Sequence, residues 1–133
     1  MSGGFTSSGG EPLMQDRFAV KLLTAAKGMG IHTALDTNGG LGARLSNTDL
    51  GHIDLVLLDP KCWNPELHRR LTGMENGPAL DFARRLAARE TPIWLRYVLV
   101  PGLTDDAGDV APLAAFSGAL GNNRSRAAYL LIM

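Results

Sequence analysis

The sequence predicts an α/β protein, a partial (β/α) barrel of about five parallel strands with outer helices. Three observations carry that prediction. Short apolar runs alternate with stretches of helical periodicity along the whole chain, without repeats, charge blocks or a linker. Ile53–Leu58 is apolar enough for a strand covered on both faces, as in parallel sheets. Four of the runs end on charged or bare-backbone residues: Ser8-Gly9-Gly10-Glu11-Pro12, Asp36-Thr37-Asn38-Gly39, Asp59-Pro60-Lys61 and Arg96-Tyr97-Val98. In parallel α/β folds the carboxyl ends of the strands line the active site. Five strands are too few for a closed eight-stranded barrel but suit an open one.

Each element has a local reason. Gly4–Ser7 is a brief extended piece, and Pro12 suits a first helical turn because its missing N–H costs nothing there. Phe18, Leu22, Ala25, Ala26 and Met29 recur at helical spacing, which predicts a helix over 13–28 with that face buried. Gly28 and Gly30 end it. Ile31–Leu35 is the second strand, and Asn38-Gly39-Gly40 turns the chain. A weak helix over 45–51 leads into Ile53–Leu58. Glu66–Leu71 is a short helical segment, and Pro78–Arg89 a longer one burying Leu80, Phe82, Ala83, Leu86 and Ala87. Pro92–Val100 is the longest strand, turned by Pro101-Gly102. Thr104 or Asp105 caps a helix to about Leu120, and Ala127–Ile132 is a final strand.

Composition closes several functional classes. Thirteen basic and thirteen acidic residues cancel, so no global field favours nucleic acid or an anionic membrane. The apolar runs are too short to span a bilayer, and the N-terminus lacks the charged and apolar regions of a signal peptide. A cytoplasmic location is expected. Cys62 is the single cysteine, which excludes an internal disulfide and an all-cysteine metal site. No G-x-G-x-x-G follows a strand, so there is no dinucleotide fingerprint. A metal-assisted hydrolase using Asp36, Asp59 and a histidine fails on spacing, since no two histidines share a helix face. His32 and His52 are expected as core or rim residues, and His68 beside Arg69 and Arg70 as a solvated helix face. Cys62, next to a tryptophan, is expected to pack.

The four strand ends also suggest a chemistry. Gly9 and Gly10 let a ligand approach the backbone closely, and Glu11 can neutralise an ammonium or simply favour the helix dipole. Asp36 and Asp59 at adjacent strand ends repel one another unless a cation or Lys61 lies between them.

Gly3 through Pro12, then Asp36-Thr37-Asn38-Gly39, then Leu57-Leu58-Asp59-Pro60-Lys61, then Trp94 through Gly102 resemble, in order and spacing, the glycyl-radical-activating enzymes of the radical S-adenosylmethionine (radical SAM) superfamily. The likeness is greatest to the branch acting on pyruvate formate-lyase and runs from about Gly3 to Asn122. It implies a radical SAM partial barrel and S-adenosylmethionine as cofactor. The implied reaction is reductive cleavage to a 5′-deoxyadenosyl radical, which takes a hydrogen atom from a backbone glycine of a partner such as pyruvate formate-lyase. It further implies cofactor-binding roles for Gly9, Gly10, Glu11, Pro12, Asp36, Thr37, Asp59, Lys61, Arg96 and Val98. The Gly-Gly-Glu-Pro segment would receive the amino group, and Val98 would pack on the adenine. Asp36 and Asp59 would hold a monovalent cation beside the carboxylate, and Arg96 would pair that carboxylate or a ribose-side acid, or else form a structural salt bridge.

The chain departs from the family where the iron belongs. The family binds a [4Fe–4S] cluster through three cysteines in a C-x₃-C-x₂-C run before the Gly-Gly-Glu-Pro segment, and this sequence has none there. Ser7 stands for an apolar residue, Gly40 for an aromatic one, and Pro60 separates Asp59 from Lys61. After Asn122-Asn123, Ser125 through Tyr129 leaves the family pattern, and a histidine-bearing loop is not reached. The expectation is therefore one incomplete radical SAM-like domain over 1–133, truncated and inactive alone, with no cluster of its own. The alternative is a non-catalytic module that binds S-adenosylmethionine or the glycyl-radical partner. Open sheet edges predict self-association.

Overall fold

The computed structural model describes residues 3–121 and the strand at 128–132. Five strands form one parallel sheet in sequence order: β1 (Gly4–Ser7), β2 (His32–Thr37), β3 (Leu55–Leu58), β4 (Ile93–Tyr97) and β5 (Ala128–Ile132). Between them lie α1 (Asp16–Gly28), α2 (Asn47–Leu50), α3 (Pro65–Thr72), α4 (Gly77–Ala88) and α5 (Ala107–Gly121). Right-handed crossovers between consecutive neighbours in an unreversed order put every helix on one face of the sheet. Burial alternates accordingly. Thr33, Leu35, Val56, Leu58, Ile93, Leu95 and Tyr97 are buried beneath the helices, whereas Asp36, Leu57, Trp94 and Arg96 keep solvent contact on the other face. Helices on one face and a second face open to solvent suit a partial barrel, in which that second face is the interior.

The core joins Leu13, Leu23, Leu50, Phe82, Ala83 and Leu86 of the helical layer to Leu35, Val56, Leu58 and Leu95 of the sheet. Gly39 is required there. Its φ is +80°, and a Cβ would lie 2.6 Å from Leu58 and 3.3 Å from Ala79.

Several boundaries differ from expectation for identifiable reasons. The helix predicted from residue 13 begins as a 3₁₀ turn, Pro12–Gln15, before α1. β2 runs on through Asp36 and Thr37, because those residues pair with Leu57 and Leu58 of β3. β4 ends at Tyr97, since the Thr104 hydroxyl donates to Val98 C=O and accepts Val100 N–H, bending that segment off the sheet. Thr104 is therefore spent on the loop and does not cap α5. The expected Ala127 start of the last strand lies outside the described residues.

The apolar face assigned to α1 is corrected except at Ala26. Ala19, Leu23 and Ala26 face the core, while Leu22 and Ala25 are exposed, Phe18 is 60% and Met29 75% exposed. Two apolar stripes one residue apart run along this helix, and only one faces the sheet. The other, with Met14, flanks β1, whose only partner among the described strands is β2. No helix among the described residues is long and apolar enough to cross a membrane.

Candidate functional site

The loop after β1 carries the first group of predicted residues. Gly9 and Gly10 have φ of +89° and +58°, and a Cβ on either would meet nothing within 4 Å. Backbone conformation, and not packing, demands glycine here, and it leaves an exposed stretch of bare main chain. Pro12 is buried in the first turn of the 3₁₀ segment that Glu11 caps, with Glu11 Oε2 accepting Leu13 N–H at 2.8 Å. The same carboxylate reaches β2. Its Oε1 accepts the Thr37 hydroxyl at 2.7 Å and Asn38 N–H at 2.8 Å. Thr37 is 2% exposed, and its Oγ1 accepts Gly39 N–H at 3.0 Å.

Asp36 lies on the face of the sheet away from the helices, at the end of β2. One oxygen pairs with Arg96 of β4, and the other accepts the Ser8 hydroxyl at 3.1 Å. Arg96 is thus in a salt bridge, with Nε buried and without a hydrogen-bond partner. Asp59 pairs with Lys61 at 2.7 Å, so the intervening Pro60 does not keep them apart. Each acid therefore has its own base. Among the described residues no three His, Cys, Asp or Glu side chains gather as a metal site. Beside the Asp59–Lys61 pair lies a cleft of about 360 Å3, walled by Leu71, Val98, Val100 and Leu103. Val98 is 45% exposed there.

Sequence reasoning missed the groups that hold these residues. Ser8 was visible only as part of a glycine-rich run, with nothing to mark its hydroxyl as a partner of Asp36. Asp109, in the first turn of α5, is buried and accepts Trp63 N–H at 3.0 Å, Asn64 N–H at 2.6 Å and the Tyr97 hydroxyl. It pins the Lys61–Asn64 loop to β4. Burial, together with the bond to Asp109, pushes the Tyr97 phenol well above its ordinary range. His68 is corrected: it is 6% exposed, with Nδ1 2.8 Å from Met74 C=O, while the neighbouring Arg69 and Arg70 are the solvated residues. Cys62 packs against Tyr97 and Leu113, and burial raises its thiol to about 11. His52 is half-buried with an unpartnered Nδ1, and His32 is exposed.

These residues fit a zwitterionic nucleoside ligand. Bare backbone after β1 suits an ammonium, Arg96 with its unpartnered Nε suits an anion, and the apolar wall at Val98 suits a base. They do not fit an iron–sulfur cluster. The single cysteine is 1% exposed and held as a thiol, whereas such clusters need several thiolates.

Comparison with known proteins bears on the family and the fold. The model of the radical SAM superfamily matches residues 2–111. Pyruvate formate-lyase-activating enzymes of Listeria monocytogenes serovar 1/2a and Staphylococcus aureus strain USA300 are each 44% identical over 126 residues. The alignment covers 90% of this chain and 51% and 50% of theirs. The chain thus spans about half the length of the curated relatives it matches. A solved domain of the pyruvate-formate lyase-activating enzyme from Bacteroides vulgatus ATCC 8482 superposes with a TM-score of 0.77 at 27% identity, covering 96% of this chain and 76% of that one. Streptococcus suis SuiB bound to S-adenosylmethionine shares the fold at 17% identity, with a TM-score of 0.72 over 86% of this chain and 27% of its own. With five sequential parallel strands and a family match over residues 2–111, the chain belongs to the radical SAM superfamily.

Proposed function

We propose that this chain is the cofactor-positioning part of a glycyl-radical-activating enzyme of the pyruvate formate-lyase type. One observation carries the proposal: residues that fit the amino, carboxylate and base ends of S-adenosylmethionine lie at successive strand ends of a chain 44% identical to such activating enzymes. In that activity S-adenosylmethionine is cleaved reductively, and the resulting 5′-deoxyadenosyl radical takes a hydrogen atom from a glycine of the partner enzyme. The work of these residues is binding and orientation. Main chain at Gly9 and Gly10 receives the ammonium. Asp36, Asp59, Lys61 and Arg96 set the charge around the carboxylate, with a monovalent cation between the two acids completing its neutralisation. Thr37 fixes the end of β2, and Val98 supports the adenine. No residue here supplies the electron, so the 133 residues alone bind the cofactor without cleaving it. A cytoplasmic site of action on a protein partner completes the proposal, and because thirteen basic and thirteen acidic residues cancel, no global field draws the chain to an anionic membrane.

Calorimetry of the 133-residue chain with S-adenosylmethionine tests this. The expected result is saturable binding with intact cofactor recovered and no 5′-deoxyadenosine released. No binding to a chain shown folded by circular dichroism refutes it.

A further inference from the structure

We propose that the exposed stripe of α1 is the seam of a two-fold dimer, in which the β1 edges of two copies pair antiparallel and α1 packs against α1 of the second copy. Phe18, Leu22, Ala25 and, at the C-cap, Met29 are all exposed and follow one another at spacings of four, three and four residues. That is the spacing at which one helix meets another. The first packing face of α1, Ala19, Leu23 and Ala26, is already used against the sheet. The second continues through Met14 into an open cleft of about 440 Å3. Phe5, Met14, Phe18 and Leu22 wall this cleft along the edge of β1 that no described strand covers.

Geometry selects a second copy as the occupant. Paired strands lie about 4.8 Å apart. Because α1 packs on both β1 and β2, its axis runs above the line between them. Joining two copies edge to edge sets those lines two strand spacings apart, or about 10 Å, the interaxial distance of packed helices. A two-fold axis perpendicular to the sheet keeps both helical layers on one side and brings the stripe onto itself. No charged side chain lies within the stripe to oppose its own copy. At roughly 200 Å2 for a whole large side chain, the exposed fractions of Met14, Phe18, Leu22 and Met29 come to about 500 Å2 per copy. The pair thus buries about 1,000 Å2 before the strand edges are counted, the size at which a specific interface begins.

Sedimentation velocity of the full chain at micromolar concentration should show a dimer. Phe18→Glu and Met29→Glu each place a carboxylate in the seam and should weaken the dimer at least about a hundredfold. Far-ultraviolet circular dichroism should stay as in the parent, because both side chains are exposed in a single copy. Ala25→Cys supplies a second measurement without a disruptive change. The native Cys62 is buried, so a short bis-maleimide should join only the new thiols and yield a covalent dimer. A parent that sediments as a monomer overturns the proposal. So does a dimer that survives Phe18→Glu and Met29→Glu, or one that gives no cross-link at Ala25→Cys, since its interface would then lie elsewhere. None of these readouts involves a ligand, so the dimer stands or falls apart from the reading of the site as one for S-adenosylmethionine.

Discussion

Replacing Asp109 with alanine should be among the most damaging single changes to this fold, although the residue lies in a loop-to-helix junction. The carboxylate is 5% exposed and accepts three donors: Trp63 N–H, Asn64 N–H and Tyr97 O–H. Hydrogen bonds to a charged acceptor contribute roughly 1.5–3 kcal/mol each, and stranding a buried donor costs a similar amount. The three do not add fully. Tyr97 can turn wholly to Thr104 C=O, 3.0 Å away, and part of the loop can reach water. We therefore expect a loss of about 3–4 kcal/mol, a large part of the ~5–15 kcal/mol that holds a domain together. Tyr97→Phe deletes one donor and leaves the two amides satisfied, so it should cost only about 1 kcal/mol. Urea unfolding at pH 7 reads both, and the double variant should show a coupling of about 1 kcal/mol. Asp109→Ala within about 1 kcal/mol of the parent, at an unchanged m-value, would refute the assignment of this carboxylate as the anchor of the Lys61–Asn64 loop.

Further outcomes follow from charge, burial and exposure. Burial works against the Asp54 carboxylate, but Lys27 and Thr33 N–H outweigh it and hold its pKa below the ordinary value. Its contribution is thus complete above the unfolded-state pKa of about 4 and is lost as pH falls through the folded value. Asp54→Asn should lower the urea midpoint at pH 7 and flatten its decline below about pH 4; an unchanged acid slope would count against the pairing. With its thiol raised to about 11 and 1% exposed, Cys62 should resist alkylation at pH 8 until urea unfolds the chain. Rapid labelling of the native protein would contradict its packed environment. Finally, the isolated chain should self-associate by pairing the edge of β1 that no described strand covers, in two copies, beneath Met14 and Phe18, which are 67% and 60% exposed. A clean monomer in size-exclusion chromatography at micromolar concentration would dispose of that idea.

Much of the fold was legible because parallel α/β chains announce themselves by alternation. The apolar run at Leu55–Leu58, the Pro-started helices and the glycine turns each follow from local chemistry. The face of α1 was not legible, because Ala19–Leu23–Ala26 and Phe18–Leu22–Met29 both repeat at helical spacing. Periodicity ranks the bulkier stripe first, whereas the sheet accepted the slimmer one. His68 failed for a related reason. Its arginine neighbours suggested solvent, but a helical residue flanked by exposed ones can still face inward, and only the fold brings Met74 C=O to its ring. Within the site, the chemical types at the strand ends were readable, and their pairings were not. Asp36 meets Arg96 across sixty residues and Ser8 across twenty-eight, contacts that register creates and spacing cannot reveal.

Those pairings explain how an open site keeps its shape before any ligand arrives. A strand end fixes the backbone only up to its last ladder bond, and β1 spends that by Ser7, β2 by Thr37 and β3 at Asp59, whose N–H donates to Thr37 C=O. Beyond these points the loops are ordered by side chains reaching back to main chain: Glu11 to Asn38, Asp109 to Trp63 and Asn64, Thr104 to Val98 and Val100. Ordering a flexible residue costs roughly 1–2 kcal/mol, which binding would otherwise have to supply at the moment of capture. The carboxylate of Asp109 and the hydroxyl of Thr104 make their ties from residues that are not expected to face ligand. Gly9 and Gly10 stay bare beside Glu11, Lys61 stays exposed beside the pinned loop, and Val98 stays exposed beside Tyr97. Changing a tie should therefore alter affinity without touching the ligand, because the Asp109 carboxylate sets the course of the loop that carries Lys61 through the amides of Trp63 and Asn64.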